Sequence, residues 1–266
     1  MSRELQQLEP PSVGADRGRY PRLMASKRDP ELEADRQEGW RRRGESTRFD
    51  DELRAEATVI CPQDFAIRRG DRPLDHWALQ TLGMAAAGAH VGVQYLSQRK
   101  ALVIKVVDPR RIAGQNIIEI RRDHQGFFLW LENIAFIRGD GRHGFGACAF
   151  YRCAQMAQRI GLHSIRCLAA GGDDYKIAST WVEGEWVGYF VWPLFGFDAQ
   201  LHPETLARLA GRPALIGCTR LLDVVDADLD WWKEHGGGGP VAFDLAQGSR
   251  SWHTLCSYLL KKGHLS

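Results

Sequence analysis

The sequence predicts a mixed α/β fold, in which a central, mostly antiparallel sheet is flanked by helices and followed by a helical extension at the carboxyl end. Short apolar runs bounded by turn residues indicate strands, and several follow one another with no helix between them. Parallel neighbours in a sheet need a crossover connection, so this order disfavours an all-parallel, doubly wound sheet. One long amphipathic helix separates two later apolar runs, which adds the helical layer.

The first half of the folded region supplies most of the predicted strands. A first strand is expected at 57–67 and a helix at 74–87, where Pro73 suits the first turn. Further strands are expected in the short apolar runs 91–96, 101–107, 115–121 and 127–137. Because only turn residues separate these four runs, they predict an antiparallel meander.

A glycine-rich loop at 138–146 follows the strand at 127–137 and precedes a helix at 147–161 and a short strand at 165–169. Glycines in such a loop admit positive φ and leave room for the backbone to approach a bulky ligand. The helix presents unpaired N–H groups and its positive dipole end to the loop, an arrangement that favours an anion such as a phosphorylated cofactor. Neither the Walker A pattern nor the G-x-G-x-x-G fingerprint is present.

The last third of the chain is predicted to be mostly helical. Helices are expected at 204–209 and 227–235, the second ending at a run of four glycines. A strand at 241–245 follows, and Ser249 or Ser251 is expected to cap a closing helix that runs to Lys261.

Two parts differ in composition, which predicts a domain at 56–266, with an extension from about residue 200, behind an arm at 1–55. The arm mixes both charge signs, carries four prolines and has few large aliphatic residues. We therefore expect it to be largely disordered, with a short helix near 31–43. Such an arm is also what an exported effector without a cleaved signal would carry.

Overall composition is typical of a soluble globular protein, with 44% hydrophobic residues, 26% charged residues and a net charge of +2. This balance argues against a dedicated nucleic-acid binder. No apolar run has the length of a membrane span, and the amino terminus lacks an apolar signal core. Six scattered cysteines without a C-x-x-C pair favour reduced thiols in the cytoplasm over disulfides or a metal site.

Several short patterns occur together around the loop, and the spacing between them is that of a known protein family. Gly144-Phe145-Gly146 opens the helix, and Ala157 and Gly161 mark its far end. The preceding strand ends Ile134-Ala135-Phe136, and the segment 192–197 reads Trp-Pro-Leu-Phe-Gly-Phe. Over roughly residues 90–200, this set resembles the GNAT superfamily of acyl-CoA-dependent N-acyltransferases. Two positions depart from the family pattern, since Gly141 replaces the first Arg or Gln of the motif and Trp192 replaces a tyrosine.

The resemblance implies transfer of an acetyl or other acyl group from acyl-CoA to an amine of a small molecule or a protein. It places the pyrophosphate of the cofactor on the main chain of the loop. It places the thioester carbonyl against a main-chain N–H at the end of the preceding strand. Arg138 and Arg142 would add charge at the rim, with ordinary surface arginines as the alternative. The expected cofactor-binding residues are Ile134, Ala135, Phe136, Arg138, Gly141, Arg142, His143, Gly144, Phe145, Gly146 and Ala147.

Two residues are candidates for proton transfer. Glu132 is the only acidic residue in the apolar strand 127–137, so it must be paired or functional, and relatives hold a base on this strand. A structural ion pair or an exposed face is the alternative. Tyr189 is the candidate acid in place of the tyrosine that Trp192 displaces, although packing explains it equally well.

A second class of function fits the same sequence. A GNAT-like domain that has lost its chemistry would serve as a binding or interaction module, and the departures at Gly141 and Trp192 favour it. Cys148 and Cys153 in the helix are expected to be buried, inert thiols, because no third group accompanies a Cys/His pair.

Overall fold

The chain folds around one central sheet. A computed structural model describes residues 46–60, 68–69, 72–137, 143–172 and 187–265. The folded unit that contains them begins at Ser46, earlier than the predicted boundary at residue 56. The rest of the predicted arm, residues 1–45, lies outside the described residues.

The described strands are β1 (Thr58–Ile60), β2 (Arg68–Arg69), β3 (Arg72–Pro73), β4 (His90–Leu96), β5 (Ala101–Val107), β6 (Asn116–Asp123), β7 (Gly126–Asn133), β8 (Ser164–Gly172) and β9 (Gly237–Asp244). The helices are α1 (Asp50–Arg54), α2 (His76–Leu82), α3 (Phe145–Arg159), α4 (Gly188–Leu194), α5 (Pro203–Leu209), α6 (Leu221–Ala227), α7 (Leu229–His235) and α8 (Arg250–Lys261). A 3₁₀ turn occupies Pro213–Leu215.

Seven of the described strands form one mixed sheet in the order β1-β4-β5-β6-β7-β8-β9. Strands β4 to β7 are the predicted antiparallel meander. Strand β1 runs parallel to β4, and β8 runs parallel to β7 after the crossover through α3. Strand β9 closes the sheet antiparallel to β8. The predicted mixed α/β class is therefore confirmed.

One face of the sheet carries the core. Alternate residues of the central strands, such as Val93, Ile104 and Ile118, are at most 5% exposed and lie opposite one another in register. Helix α2 lies on this face, because a Cβ at Gly83 would meet the side chains of Val106 and Ile104. Helix α3 packs beside α2, and the thiol of Cys153 contacts the carbonyl of Leu82. None of the described helices combines the length and apolar character needed to cross a membrane.

Helix α2 is shorter than predicted. It begins where the carboxylate of Asp75 accepts a hydrogen bond from the N–H of Ala78 at 2.7 Å. It ends at Leu82, because Met84 adopts a positive φ of 56° and the following residues turn toward β4. The predicted helix 74–87 was therefore too long at its carboxyl end.

The predicted helix before the glycine run does end at His235, and the run itself forms the start of β9, which begins earlier than the predicted strand 241–245. Gly237 pairs with Gly172 of β8, and a Cβ at Gly172 would lie 2.3 Å from the carbonyl oxygen of Gly236. This close approach requires residues without side chains. Helix α8 matches its prediction, since the Ser249 hydroxyl accepts from the N–H of Trp252 and the helix ends at Lys261.

Candidate functional site

Strands β7 and β8 pair over only three residues and then diverge. The paired residues are Leu129 to Leu131 on β7 and Ile165 to Cys167 on β8. Beyond them, the chain after β7 is held by the 111–113 segment, and the end of β8 is held by β9. The opening between the two strands, which begins at Leu131 and Cys167, is called the notch below.

Main-chain groups of the segment after β7 are directed into the notch. The N–H of Ala113 donates to the carbonyl of Ala135 at 2.8 Å, and the N–H of Ile137 donates to the carbonyl of Arg111 at 2.8 Å. Since polar groups of successive residues in an extended chain point to opposite edges, those of Ile134 and Phe136 face the notch. The family resemblance places the expected carbonyl-binding amide near these same positions.

A cavity of about 590 Å³ occupies the notch. It reaches from the β7 and β8 ends to the first turn of α3, and helix α4 and the closing helix α8 complete its wall. Most of the residues around it are apolar. Its lining includes Met84, Leu131, Glu132, Asn133, Ile134, Ala135, Phe136, Gly144, Gly146, Ala147, Phe150, Cys167, Leu168, Val191, Trp192, Phe195 and Tyr258.

The first turn of α3 borders the cavity with its amides. Helix N–H groups in the first turn have no partner within the helix. Within the described part of the chain, the N–H groups of Phe145, Gly146 and Ala147 donate to no acceptor. A Cβ at Gly146 would lie 2.8 Å from the ring of Phe136, so a glycine is what allows the helix to approach the end of the strand.

His264 lies directly behind the start of α3. Gly144, the N-cap residue, has a φ of 92°, and a Cβ there would lie only 2.0 Å from the imidazole Nε2 of His264. The His264 side chain is buried, and its Nδ1 atom has no hydrogen-bond partner among the described residues. Burial, and then the charges of Arg48 and Lys262, lower the pKa of His264. Nothing in the sequence marks this residue, which reaches α3 only through the fold.

Glu132 lines the cavity on the face of the sheet opposite to Leu131. Its carboxylate accepts a hydrogen bond from the indole N–H of Trp130 at 2.6 Å and a weaker contact from Arg121 at 3.4 Å. The side chain is 41% exposed. The predicted alternative of an ion pair is therefore present, and the residue also lines the cavity.

Tyr189 is not among the residues that line the cavity. Its hydroxyl donates to the carbonyl of Lys233 at 2.6 Å, away from the notch. A different phenol, that of Tyr258 on α8, lines the cavity and packs against Phe195 with ring centroids 5.3 Å apart. Burial, and then the nearby Cys148 thiol, raise the pKa of Tyr258, so the phenol stays protonated at neutral pH. Only the tertiary structure brings this residue to the cavity.

The remaining predicted residues divide into two groups. His143 is exposed just before α3, whereas Arg138, Gly141 and Arg142 lie outside the described residues. Trp192 faces the cavity and contacts Phe150 edge to face at 5.9 Å.

The helix cysteines are buried, as predicted. Burial raises the pKa of Cys148 to about 12 and raises that of Cys153 further, so both remain neutral thiols. Among the described residues, no three His, Cys, Asp or Glu side chains are grouped closely enough to hold a metal ion. Comparisons with protein families, with curated proteins and with solved structures found no match for this chain.

Proposed function

We propose that this protein is an acyltransferase of GNAT type, which moves an acetyl or other acyl group from acyl-CoA to an amine of a small molecule or a protein. The observation that carries the proposal is the notch between parallel strands β7 and β8, which leads directly to the amino end of α3. A thioester arm fits an opening between strands, and a pyrophosphate fits a helix start.

The residues at both ends of the cavity fit the cofactor. The amides of Phe145, Gly146 and Ala147, which have no acceptor among the described residues, offer donors to phosphate oxygens, and Gly146 leaves no side chain in the way. The main-chain groups of Ile134 and Phe136 offer donors and acceptors to the amide-rich pantetheine arm. One of these N–H groups would donate to the thioester oxygen, where negative charge develops during transfer.

The chemistry follows from where the side chains lie. Bound acyl-CoA supplies an activated carbonyl carbon, to which the amine nitrogen bonds as the carbon–sulfur bond breaks. Glu132 lies on the face of the sheet opposite to α3, so an amine approaching from that side meets a carboxylate that takes its proton, directly or through a water. Tyr258 is placed to return a proton to the departing sulfur.

Binding is the first test. In a thermal shift experiment, ligand at about a hundredfold excess over its Kd stabilises the protein by about 2.7 kcal/mol, which raises Tm by about 5–10 °C for a domain of this size. We expect shifts with both acetyl-CoA and free CoA. The absence of any shift at millimolar concentrations of both would refute the proposal.

A charge change at His143 tests where the pyrophosphate lies. His143→Glu places a negative charge beside the start of α3 without disturbing the core, because the side chain is exposed. Repulsion between the new carboxylate and one phosphate charge about 6 Å away, in a water-like dielectric, costs about 0.7 kcal/mol of binding free energy. The charges of the pyrophosphate together should therefore weaken CoA binding about tenfold at low salt. His143→Gln is the control and should bind CoA normally. Equal affinity of the two variants would place the phosphates elsewhere.

The two tyrosines provide a matched pair for turnover, measured as thiol release with a panel of amines. Tyr258→Phe should lower kcat and leave CoA affinity unchanged, because the hydroxyl is proposed to act on the leaving sulfur. Tyr189→Phe should leave kcat unchanged. The opposite result would restore Tyr189 as the acid.

A cofactor-binding module without catalysis is the second candidate. The observation that favours it is the contact of Trp130 and Arg121 with the Glu132 carboxylate, which occupies the group proposed as base. Such a module would bind CoA in the thermal shift experiment and release no thiol with any amine. We further propose a cytoplasmic location, which reduced cysteines favour, with export as an effector as the alternative.

A further inference from the structure

The inner wall of the cavity is apolar and closed. It is formed by Met84, Phe150, Leu131 and Cys167, none of which is more than 3% exposed. Among the described residues, the charged and amide side chains that line the cavity are those of Glu132 and Asn133 at the end of β7, and neither is buried. The cavity thus has a polar mouth and an apolar interior.

Met84 contributes to this wall from an unusual backbone conformation. Its φ of 56° lies in the left-handed region, which a residue with a long side chain adopts only when the surrounding structure imposes it. Hydrogen bonds on both sides fix the turn, since Met84 N–H donates to Thr81 and Ala85 N–H donates to Gln80. The turn directs a flexible, apolar side chain into the cavity.

The inner wall begins where the strands separate. Leu131 and Cys167 are the last paired residues of β7 and β8, and the main-chain groups of Ile134 and Phe136 follow within a few residues. A thioester held by those groups would therefore direct its acyl end toward the apolar wall. An acetyl group would leave much of the wall without contacts, whereas methylene groups would fill it.

We propose that the acyl donor is a medium-chain acyl-CoA, whose chain lies against Met84, Leu131 and Phe150. This inference rests on the proposed function and goes beyond it by naming the donor class. Each methylene group that packs against the wall should lower Kd about 4-fold, because its apolar surface is removed from water. The affinity should rise with chain length and stop rising when the chain reaches Met84.

The test is isothermal titration calorimetry of the full chain with CoA and with acetyl-, butyryl-, hexanoyl-, octanoyl- and dodecanoyl-CoA, each below its micelle concentration. We expect Kd to fall about 4-fold for each added methylene from acetyl to the limiting length. A flat series, in which acetyl-CoA and octanoyl-CoA bind as tightly as free CoA, overturns this inference and leaves the proposed function standing. Failure of every ligand, including free CoA, overturns both.

Two buried methionines supply a matched pair of variants. Met84→Ala removes part of the wall and should move the limiting length about two carbons longer. Met156→Ala removes a methionine of α3 that is 5% exposed and not part of the lining, so the limiting length should not change. If Kd depends on acyl-chain length in the same way in both variants, Met84 does not set the limiting chain length. Should Met84→Ala fail to fold, the series on the unmodified protein decides alone.

Discussion

Gly144 joins the start of α3 to the carboxyl end of the chain, and an alanine there would meet two separate costs. The first is conformational, because the φ of 92° lies in the left-handed region, where a residue with a Cβ costs about 1–2 kcal/mol. The second is steric, because the new Cβ would lie 2.0 Å from Nε2 of the buried His264 ring. That ring has to move, and overpacking of this kind costs about 1–3 kcal/mol.

Gly217 separates the two costs. Its φ is 89°, close to that of Gly144, and a Cβ built there meets nothing within 4 Å. Gly217→Ala should therefore lower the free energy of unfolding by the conformational cost alone. Gly144→Ala should lower it by about 2–5 kcal/mol, the sum of both costs.

Urea unfolding of both variants, with and without His264→Ala, measures the difference as a double-mutant cycle. Removing the imidazole should abolish the steric cost, so that Gly144→Ala then destabilises no more than Gly217→Ala. The backbone hydrogen bonds of His264 remain in this background. If the two glycine variants cost the same in the unmodified protein, or if the excess cost persists without the ring, the packing of His264 on Gly144 is refuted.

Three further predictions follow from other contacts. Asp50→Asn should destabilise the protein by about 3–5 kcal/mol in urea, because it removes the carboxylate that pairs with the buried guanidinium of Arg152, whereas the exposed neighbour Asp51→Asn should change little; equal effects would contradict the importance of this ion pair. Burial lowers the folded-state pKa of His264 below about 6.5, so the unfolded chain binds a proton at a higher pH than the folded protein does. The free energy of unfolding should therefore fall as the pH drops below about 6.5, with a slope of at most about 1.4 kcal/mol per pH unit. His264→Gln should flatten this slope, and an unchanged slope would assign the pH dependence to other groups. Glu132→Gln should lower kcat at unchanged CoA affinity, and full activity in thiol release would remove Glu132 as the base.

Local patterns in the sequence were sufficient for most of the elements. The prediction of a strand at 101–107 matches β5 residue for residue, and Ser249 does cap α8. These signals are local, since turn residues, capping side chains and hydrophobic periodicity act within a few residues. The strand predicted at 127–137 was too long at its carboxyl end, since β7 ends at Asn133 and Phe136 forms only an isolated bridge with Ile112.

Residues that reach the site across long sequence distances could not be predicted in this way. Tyr258 and His264 come from the carboxyl end of the chain, and neither carries a motif that points to residues 131–147. The contact of Glu132 with Arg121 was equally hidden, because it depends on the register between β6 and β7. Such contacts depend on packing between elements, which no single segment encodes.

By itself, the sequence determined the antiparallel meander and the order of β7, α3 and β8, whereas the helices at 188–194 and 221–227 were not predicted. Only the tertiary structure decided that β7 and β8 would separate after three paired residues, since that depends on which neighbours hold their ends. The 111–113 segment binds one end and β9 binds the other, so the strands cannot continue their own ladder. Backbone hydrogen bonds between distant segments thus create the cavity, whereas local propensity only supplies the strands that border it.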